Sequence, residues 1–405
     1  MFKNVLSYGF IQKLAVLYLT VWTISPPLQV DTVYRIIALA CAVLWVAIWF
    51  IRETPLTLGK EQVGAIIFLI AVMVVIYVEK YDFSALIKQI AFIMLVICFL
   101  MNYFYDDKWD ELYGIVPIVL ILFIVWNYKT FTILIEDHTI ARRLIRDDAE
   151  TYQYLRQGIG GYSLVYPQVC ISPLITAWTF KAFRNNKLFF AIGLVWAYTY
   201  LRLIELAGYS IALFASVAGL LLLMFYRAKN IIPAFVISVL MFIGIMAAIL
   251  YIPSFREWIL ETFDGTAVAR KVNDLISTAD TGVTGDSIQL RIEAYSNSLL
   301  DMVKYPIIGS LWRENGGGHS AVLDAISKYG WLGGYALVMM FYHVPIHYKH
   351  QSDNKFIIIT ANATLITYMF VSILDSFNYS FTCTVLLVAP LLFEDIKKWT
   401  GAEKI

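Results

Sequence analysis

Apolar runs, each long enough to be a helix and each closed by a short polar stretch, recur along this chain. They lack the strict alternation of a half-buried strand. Such runs fill 14–30, 33–51, 63–78, 84–104, 113–126, 161–180, 188–203, 207–226, 231–252, 331–346, 356–373 and 381–393. A helix crosses the bilayer hydrocarbon with about 20 apolar residues. The pattern therefore predicts an all-α, polytopic integral membrane protein of about twelve transmembrane helices, with residues 1–405 forming one membrane domain. Runs 113–126 and 381–393 are short for a span. Two longer polar segments break the rhythm, 127–160 and 253–330. The second precedes the last three runs and carries helical periodicity of its own, so a large helical loop is expected there.

Composition agrees with the pattern. Hydrophobic residues make up 60% of the 405, against roughly 45–50% in soluble domains. A net charge of +1 argues against a nucleic-acid binder, which shows a basic face. Lysine and arginine in short loops set the orientation. With the N-terminus inside, the short inside segments hold most of them, among them Arg52, Lys60, Arg184, Arg227, Lys349 and Lys397, while the short outside loops hold only Arg35, Lys80, Lys88 and Arg202. Both termini are then cytoplasmic, and 127–160 and 253–330 lie outside the cell membrane. Lys3 and Lys13 precede the first run and no small-residue cleavage site follows it, which reads as an uncleaved first span. Cys41, Cys98, Cys170 and Cys383 all sit in apolar runs without metal-ligand spacing and read as small buried hydrophobes. His343 and His347 have the four-residue spacing of metal ligands, but Pro345 lies between them, and they read as interfacial histidines. No metal site and no nucleotide-binding loop is expected.

Candidate chemistry concentrates in the second polar segment. In "SIQLRIEAYSNSLLDMVKYPIIGSLW", Ile288, Ile292, Tyr295, Leu299 and Met302 recur at helical spacing. This predicts an amphipathic helix lying at the outer membrane face, with Arg291 and Tyr295 four apart on one side. Tyr305-Pro306 ends it. Then come Arg313 and Glu314, a glycine run from Gly316 to Gly318, and His319. Residues 320–329 read as a short second helix with Asp324 in its first turn, Lys328 in its last and Gly330 as its C-cap. His319 would stand just before a helix N-terminus, where free backbone N–H groups can hold an anion such as phosphate. Glu205 and Asp375 lie near the outer ends of spans, where charged residues are either functional or simply reach water.

Arg291 and Tyr295, Tyr305-Pro306 and Gly309, "GGHS" followed by Leu323-Asp324, and the closing Gly330 and Gly333 resemble the O-antigen polymerase and ligase superfamily. The "GGHSxxLD" form is similar to the repeat-unit polymerase (Wzy-type) branch. The ligase branch more often has asparagine where Ser320 stands. "QGIGGYSLVYPQV" from Gln157 to Val169 also resembles segments of such polymerases. Many members carry an arginine at the outer end of a middle span. Tyr209-Ser210 stand there in this chain, with Arg202 close by.

The resemblance implies a metal-independent glycosyltransferase without cofactors. Its donor would be a glycan on undecaprenyl diphosphate, passed at the outer leaflet to a sugar hydroxyl of the next lipid-linked repeat unit. The product would be O-antigen (lipopolysaccharide), capsule or exopolysaccharide, with a chain-length regulator protein as a partner. His319 and Arg291 would be catalytic. Arginine stays charged and forks onto phosphate oxygens, and histidine exchanges protons near neutral pH. Arg313, Arg202, Tyr295, Glu314, Asp324 and Arg156 would contact diphosphate or sugar or orient the histidine. The run from Arg142 through Arg143 and Arg146 reads rather as a solvated helix face. Two other functions compete: a ligase moving polymer to a lipid A core, and a transporter or flippase for lipid-linked sugars. Transporters tend to show repeated halves and charges at mid-membrane, and neither is visible here.

Overall fold

The computed structural model describes residues 8–51, 63–64, 67–68, 70–71, 112, 114–137, 139–144, 149–225, 231–264, 269, 272–273, 275–277, 279, 286–310, 318–375 and 379–401. Among them the extended elements are all helices and none is a strand. Among the described residues four helices are long and apolar enough to cross a membrane: Thr32–Ile51, Ile115–Glu136, Lys187–Ala207 and Lys355–Leu374. The bent pair Val239–Tyr251 and Pro253–Thr262, turned by 96°, makes up to five. These helices mark a membrane-embedded protein.

Twelve spans are not reached among the described residues. The expected span 84–104 and most of 63–78 lie outside them. The first expected span, 14–30, is broken. Helix Tyr8–Ile24 stops at Ser25, which is extended (φ −93°, ψ 110°), and Pro26–Val30 restarts as a short helix. The cause is local, because a residue preceding proline is driven out of the helical region. The short run 113–126 belongs to a 22-residue helix, Ile115–Glu136, so the start of the expected outer loop at 127 is instead helical. The run 381–393 likewise sits within the 21-residue helix Tyr379–Trp399.

Helix Tyr162–Asn185 lies at the centre, packed on Tyr379–Trp399, Lys187–Ala207, Ser210–Phe225 and Lys355–Leu374. Helix Lys355–Leu374 is also central: 78% of its apolar window is buried by protein, against 28% for the peripheral Thr32–Ile51. A buried amide pair ties three helices together. Asn127 and Gln168 exchange hydrogen bonds of 2.9 and 2.8 Å, and the Trp196 indole donates to Gln168 at 2.9 Å. With water excluded, each polar group needs such a partner. Asn186 alone turns the chain between two long helices, and its side chain accepts from the backbone N–H groups of Leu188 and Phe189.

Helix Asp286–Lys304 packs on helix Ala321–Gln351. Gly330 divides the latter: with φ 71° and ψ −179° it is not helical, so the predicted short helix and the following apolar run are two segments. A strap joins the loop to this break. Ser310 N–H donates to the Ser327 carbonyl at 2.8 Å, and Trp331 N–H donates to the Pro306 carbonyl at 2.8 Å. Gly309 (φ 75°) and Gly330 face the strap, and a Cβ on Gly330 would run into the Ile307 carbonyl. Gly330→Ala therefore combines a backbone conformation that L residues avoid with a clash. It is expected to destabilise the fold by about 1–3 kcal/mol or more and to lower the thermal unfolding midpoint in detergent. Gly244→Ala, whose new methyl meets open space, should leave that midpoint unchanged.

Candidate functional site

Two helix ends meet beside the loop helix. Helix Lys355–Leu374 finishes at Leu374, and helix Ala321–Gln351 begins after its N-cap, Ser320. A helix C-terminus leaves carbonyls unsatisfied and an N-terminus leaves N–H groups unsatisfied. Here the two supply one another. Ala321 N–H donates to the Asp375 carbonyl at 2.8 Å, and the Ser320 hydroxyl donates to the Ser372 carbonyl at 3.3 Å. The Leu374 carbonyl receives the loop helix. Arg291 Nη1 donates to it at 3.0 Å and the Tyr295 hydroxyl at 3.4 Å. The predicted shared side of Arg291 and Tyr295 is what places both on one acceptor, and a cation at a helix C-terminus also meets the negative end of its dipole.

Asp324 organises the turn that carries His319. Its Oδ2 accepts from Gly318 N–H and from Ser320 N–H, both at 3.0 Å, so the carboxylate clamps the backbone on each side of His319. Its Oδ1 accepts from the Ser298 hydroxyl of the loop helix at 2.8 Å. Three helices thus fix one histidine, whose side chain is half-buried. Burial pushes the Tyr295 phenol above its ordinary value, partly offset by the neighbouring Arg291 guanidinium. Tyr295 therefore stays a hydrogen-bond donor at neutral pH.

This geometry bears on one expectation. The N-terminus before helix Ala321–Gln351 has most of its N–H groups engaged within the protein, which narrows the expected anion cradle. Gly318 and Ser320 donate to Asp324, Ala321 to Asp375, Leu323 to the Ser320 hydroxyl, and Asp324 to the Ser320 carbonyl. Positive charge at this place comes from Arg291.

Of the other expected site residues, Arg313 and Glu314 lie outside the described residues. Arg202 pairs with Glu205 at 2.5 Å, and Arg156 is exposed on the short helix Ala149–Arg156. Neither is bonded to the Arg291–His319 cluster among the described residues. Arg143 makes exposed ion pairs with Glu150 at 2.9 Å and Asp137 at 4.0 Å, the arrangement of a solvated surface. Among the described residues no three metal-ligating side chains converge.

No protein-family model and no curated protein matches the chain.

The structure adds Asp375, which the sequence offered only as a charged residue near a span end. It is 5% exposed. Its carboxylate lies within reach of the Tyr166 hydroxyl and close to Tyr209 and Tyr295. Tyr166 stacks on Tyr162 at 4.9 Å with rings 3° apart, and Tyr209 packs on Tyr162 at 4.6 Å. The "GGYSLVY" stretch thus meets Asp375 from the bundle side while Arg291 and Tyr295 approach from the loop. Asp301 was also missed. It is 4% exposed and accepts from the Ser327 hydroxyl at 3.1 Å, a second buried tie between loop helix and bundle.

Proposed function

We propose that the chain is a glycan polymerase that extends a polyprenyl-diphosphate-linked oligosaccharide at the outer face of a bacterial cytoplasmic membrane. The observation that carries this reading is the joint placement of Arg291 and His319 on the end of one apolar helix. Arg291 donates to Leu374, and the turn bearing His319 is held by Asp375 and Asp324. A permanent cation and a proton acceptor anchored to the end of the same membrane helix suit a lipid-anchored diphosphate leaving group and an attacking hydroxyl.

In the proposed step the acceptor hydroxyl oxygen forms a bond to the donor's anomeric carbon. The bond from that carbon to the diphosphate oxygen breaks. The hydroxyl proton passes to the His319 imidazole, and the electron pair leaves on the diphosphate, whose charge Arg291 offsets. One guanidinium N–H is engaged by Leu374 and the group also bonds Tyr295, which leaves its remaining N–H groups to meet phosphate oxygens. His319 is the general base, and Asp324 a positioning residue. Tyr295 becomes a donor to sugar or phosphate oxygen when its single O–H turns from the Leu374 carbonyl, 3.4 Å away. In this reading both termini are cytoplasmic.

Reconstitution tests the reading. Purified protein in proteoliposomes, given a polyprenyl-diphosphate-linked oligosaccharide, should yield a ladder of longer lipid-linked chains. Transfer only to an added lipid A core would make it a ligase. Movement of the glycolipid across the bilayer with no new glycosidic bond would make it a transporter. Arg291→Lys should retain the charge but lose the fork. The turnover is expected to fall roughly tenfold, the scale of one charged hydrogen bond of about 1.5 kcal/mol. The ladder assay at saturating donor measures it, and an unchanged rate would remove Arg291 from contact with the diphosphate.

A further inference from the structure

The loop helix Asp286–Lys304 is turned the opposite way from a helix in a water-washed loop. Its buried stripe is largely polar: Ser298 is fully buried and Asp301 4% exposed, with Ala294 the apolar member and Arg291 and Tyr295 half-buried beside them. These residues bind helix Ala321–Gln351 and the Leu374 carbonyl. Its outward surface carries an apolar strip. Ile292, Leu299 and Val303 follow at helical spacing, with the exposed Ser296 between them and Leu300, and Val303 is 83% exposed. Glu293, Asn297 and Lys304 form a separate exposed polar edge along one side. The helix therefore turns a largely polar stripe to protein, an apolar strip outward and a polar edge to one side.

The apolar face does not stop at the helix. Ile307 and Ile308 continue it at 74% and 61% exposure. The strap from Pro306 to Trp331 joins them to the exposed Trp331, Leu332 and Tyr335, the first turns of the apolar segment after Gly330. That segment packs on Lys355–Leu374, a helix long and apolar enough to cross the membrane. Arg291 and Tyr295 sit on the last carbonyl of that same helix. The loop helix thus lies at the level where a membrane-crossing helix ends. Contiguous apolar surface of this kind marks an interaction site, and tryptophan, tyrosine and lysine at its margins are the residues of a membrane interface.

We infer that the apolar face of helix Asp286–Lys304, with Ile307, Ile308 and Trp331, is inserted into the hydrocarbon of the adjoining leaflet. Its occupant is bilayer lipid. The helix lies in the interface plane, Glu293, Asn297 and Lys304 face water, and Arg291 and Tyr295 are held at headgroup depth. The site beside them opens sideways to the leaflet. This placement stands on burial and geometry alone and does not depend on glycan transfer.

Site-directed spin labelling of the full chain in nanodiscs tests it. With the natural cysteines replaced, nitroxides are placed singly at Val303→Cys, Leu299→Cys and Asn297→Cys. Collision with membrane-soluble oxygen and with a water-soluble nickel chelate is measured at each. Val303 and Leu299 are expected to favour oxygen several-fold relative to Asn297, which favours the chelate. Chelate access at both Val303 and Leu299 would place the face in water and overturn the inference. Shielding of both from either reagent would show it covered by protein, a second copy included, and would equally overturn it. The two apolar positions guard against a single label that disturbs the fold.

Discussion

Replacing His319 by alanine is expected to lower chain extension by about 10²–10⁴-fold, the usual weight of a positioned general base. The amount of protein in the membrane should stay unchanged. The backbone around His319 is held by Asp324, Asp375 and Ser372, through groups other than the imidazole. Removing the ring therefore removes the proton acceptor and leaves the clamp standing. In the natural host the readout is the surface glycan on a gel, with membrane level checked first. Single repeat units without long chains are the expected result. Loss of all repeat units would point to ligase, and a normal ladder would remove His319 from the reaction. In the proteoliposome assay, the donor should still bind His319→Ala with wild-type affinity, because the leaving group meets Arg291.

Part of this site is legible in the sequence because local rules govern it. The four-residue spacing of Arg291 and Tyr295 puts them on one helix side whatever the partner, and Tyr305-Pro306 ends the helix within a residue of the observed Lys304. Gly330 breaks the next helix where the sequence places a cap. The partners are not legible. Arg291 meets a backbone carbonyl 83 residues away, and a carbonyl has no sequence signature. The anion expectation at His319 is narrowed for a related reason: how many helix N–H groups stay open depends on which helix end is docked against them. The loop helix is legible as an amphipathic helix, but the partner of each face is not: the face that binds the bundle is the largely polar one. Arg291, Ser298 and Asp301, read as a stripe of their own, carry the signal for that. In the membrane, apolar pattern shows which residues avoid water and not which meet protein. The same limit applies to the spans, where Ser25-Pro26 breaks a run that composition joins.

Asp324→Ala is expected to reduce turnover by about 10²-fold, as a misplacement of about 1 Å can, although Asp324 need not touch substrate. One carboxylate receives three donors, Gly318 N–H, Ser320 N–H and the Ser298 hydroxyl. Alanine leaves all three without their acceptor and frees the backbone on both sides of His319. Asparagine separates position from charge. Its side-chain oxygen can accept the two backbone N–H groups while its NH₂ donates to the Ser298 hydroxyl, which can reverse its role. Asp324→Asn should therefore retain activity within about tenfold, since neutral hydrogen bonds replace charge-assisted ones of roughly twice the strength. Ser298→Ala, which removes one of the three donors, should be milder than Asp324→Ala. The kinetic split distinguishes positioning from general loss of structure. Turnover should fall for Asp324→Ala while KM for the lipid-linked donor and the unfolding midpoint of the bundle change little. If Asp324→Asn proves as damaging as alanine at normal unfolding midpoint, the negative charge itself matters to His319, and the clamp is not the whole of its role. If all three variants match wild type, the turn between Gly318 and Ser320 does not carry the reaction.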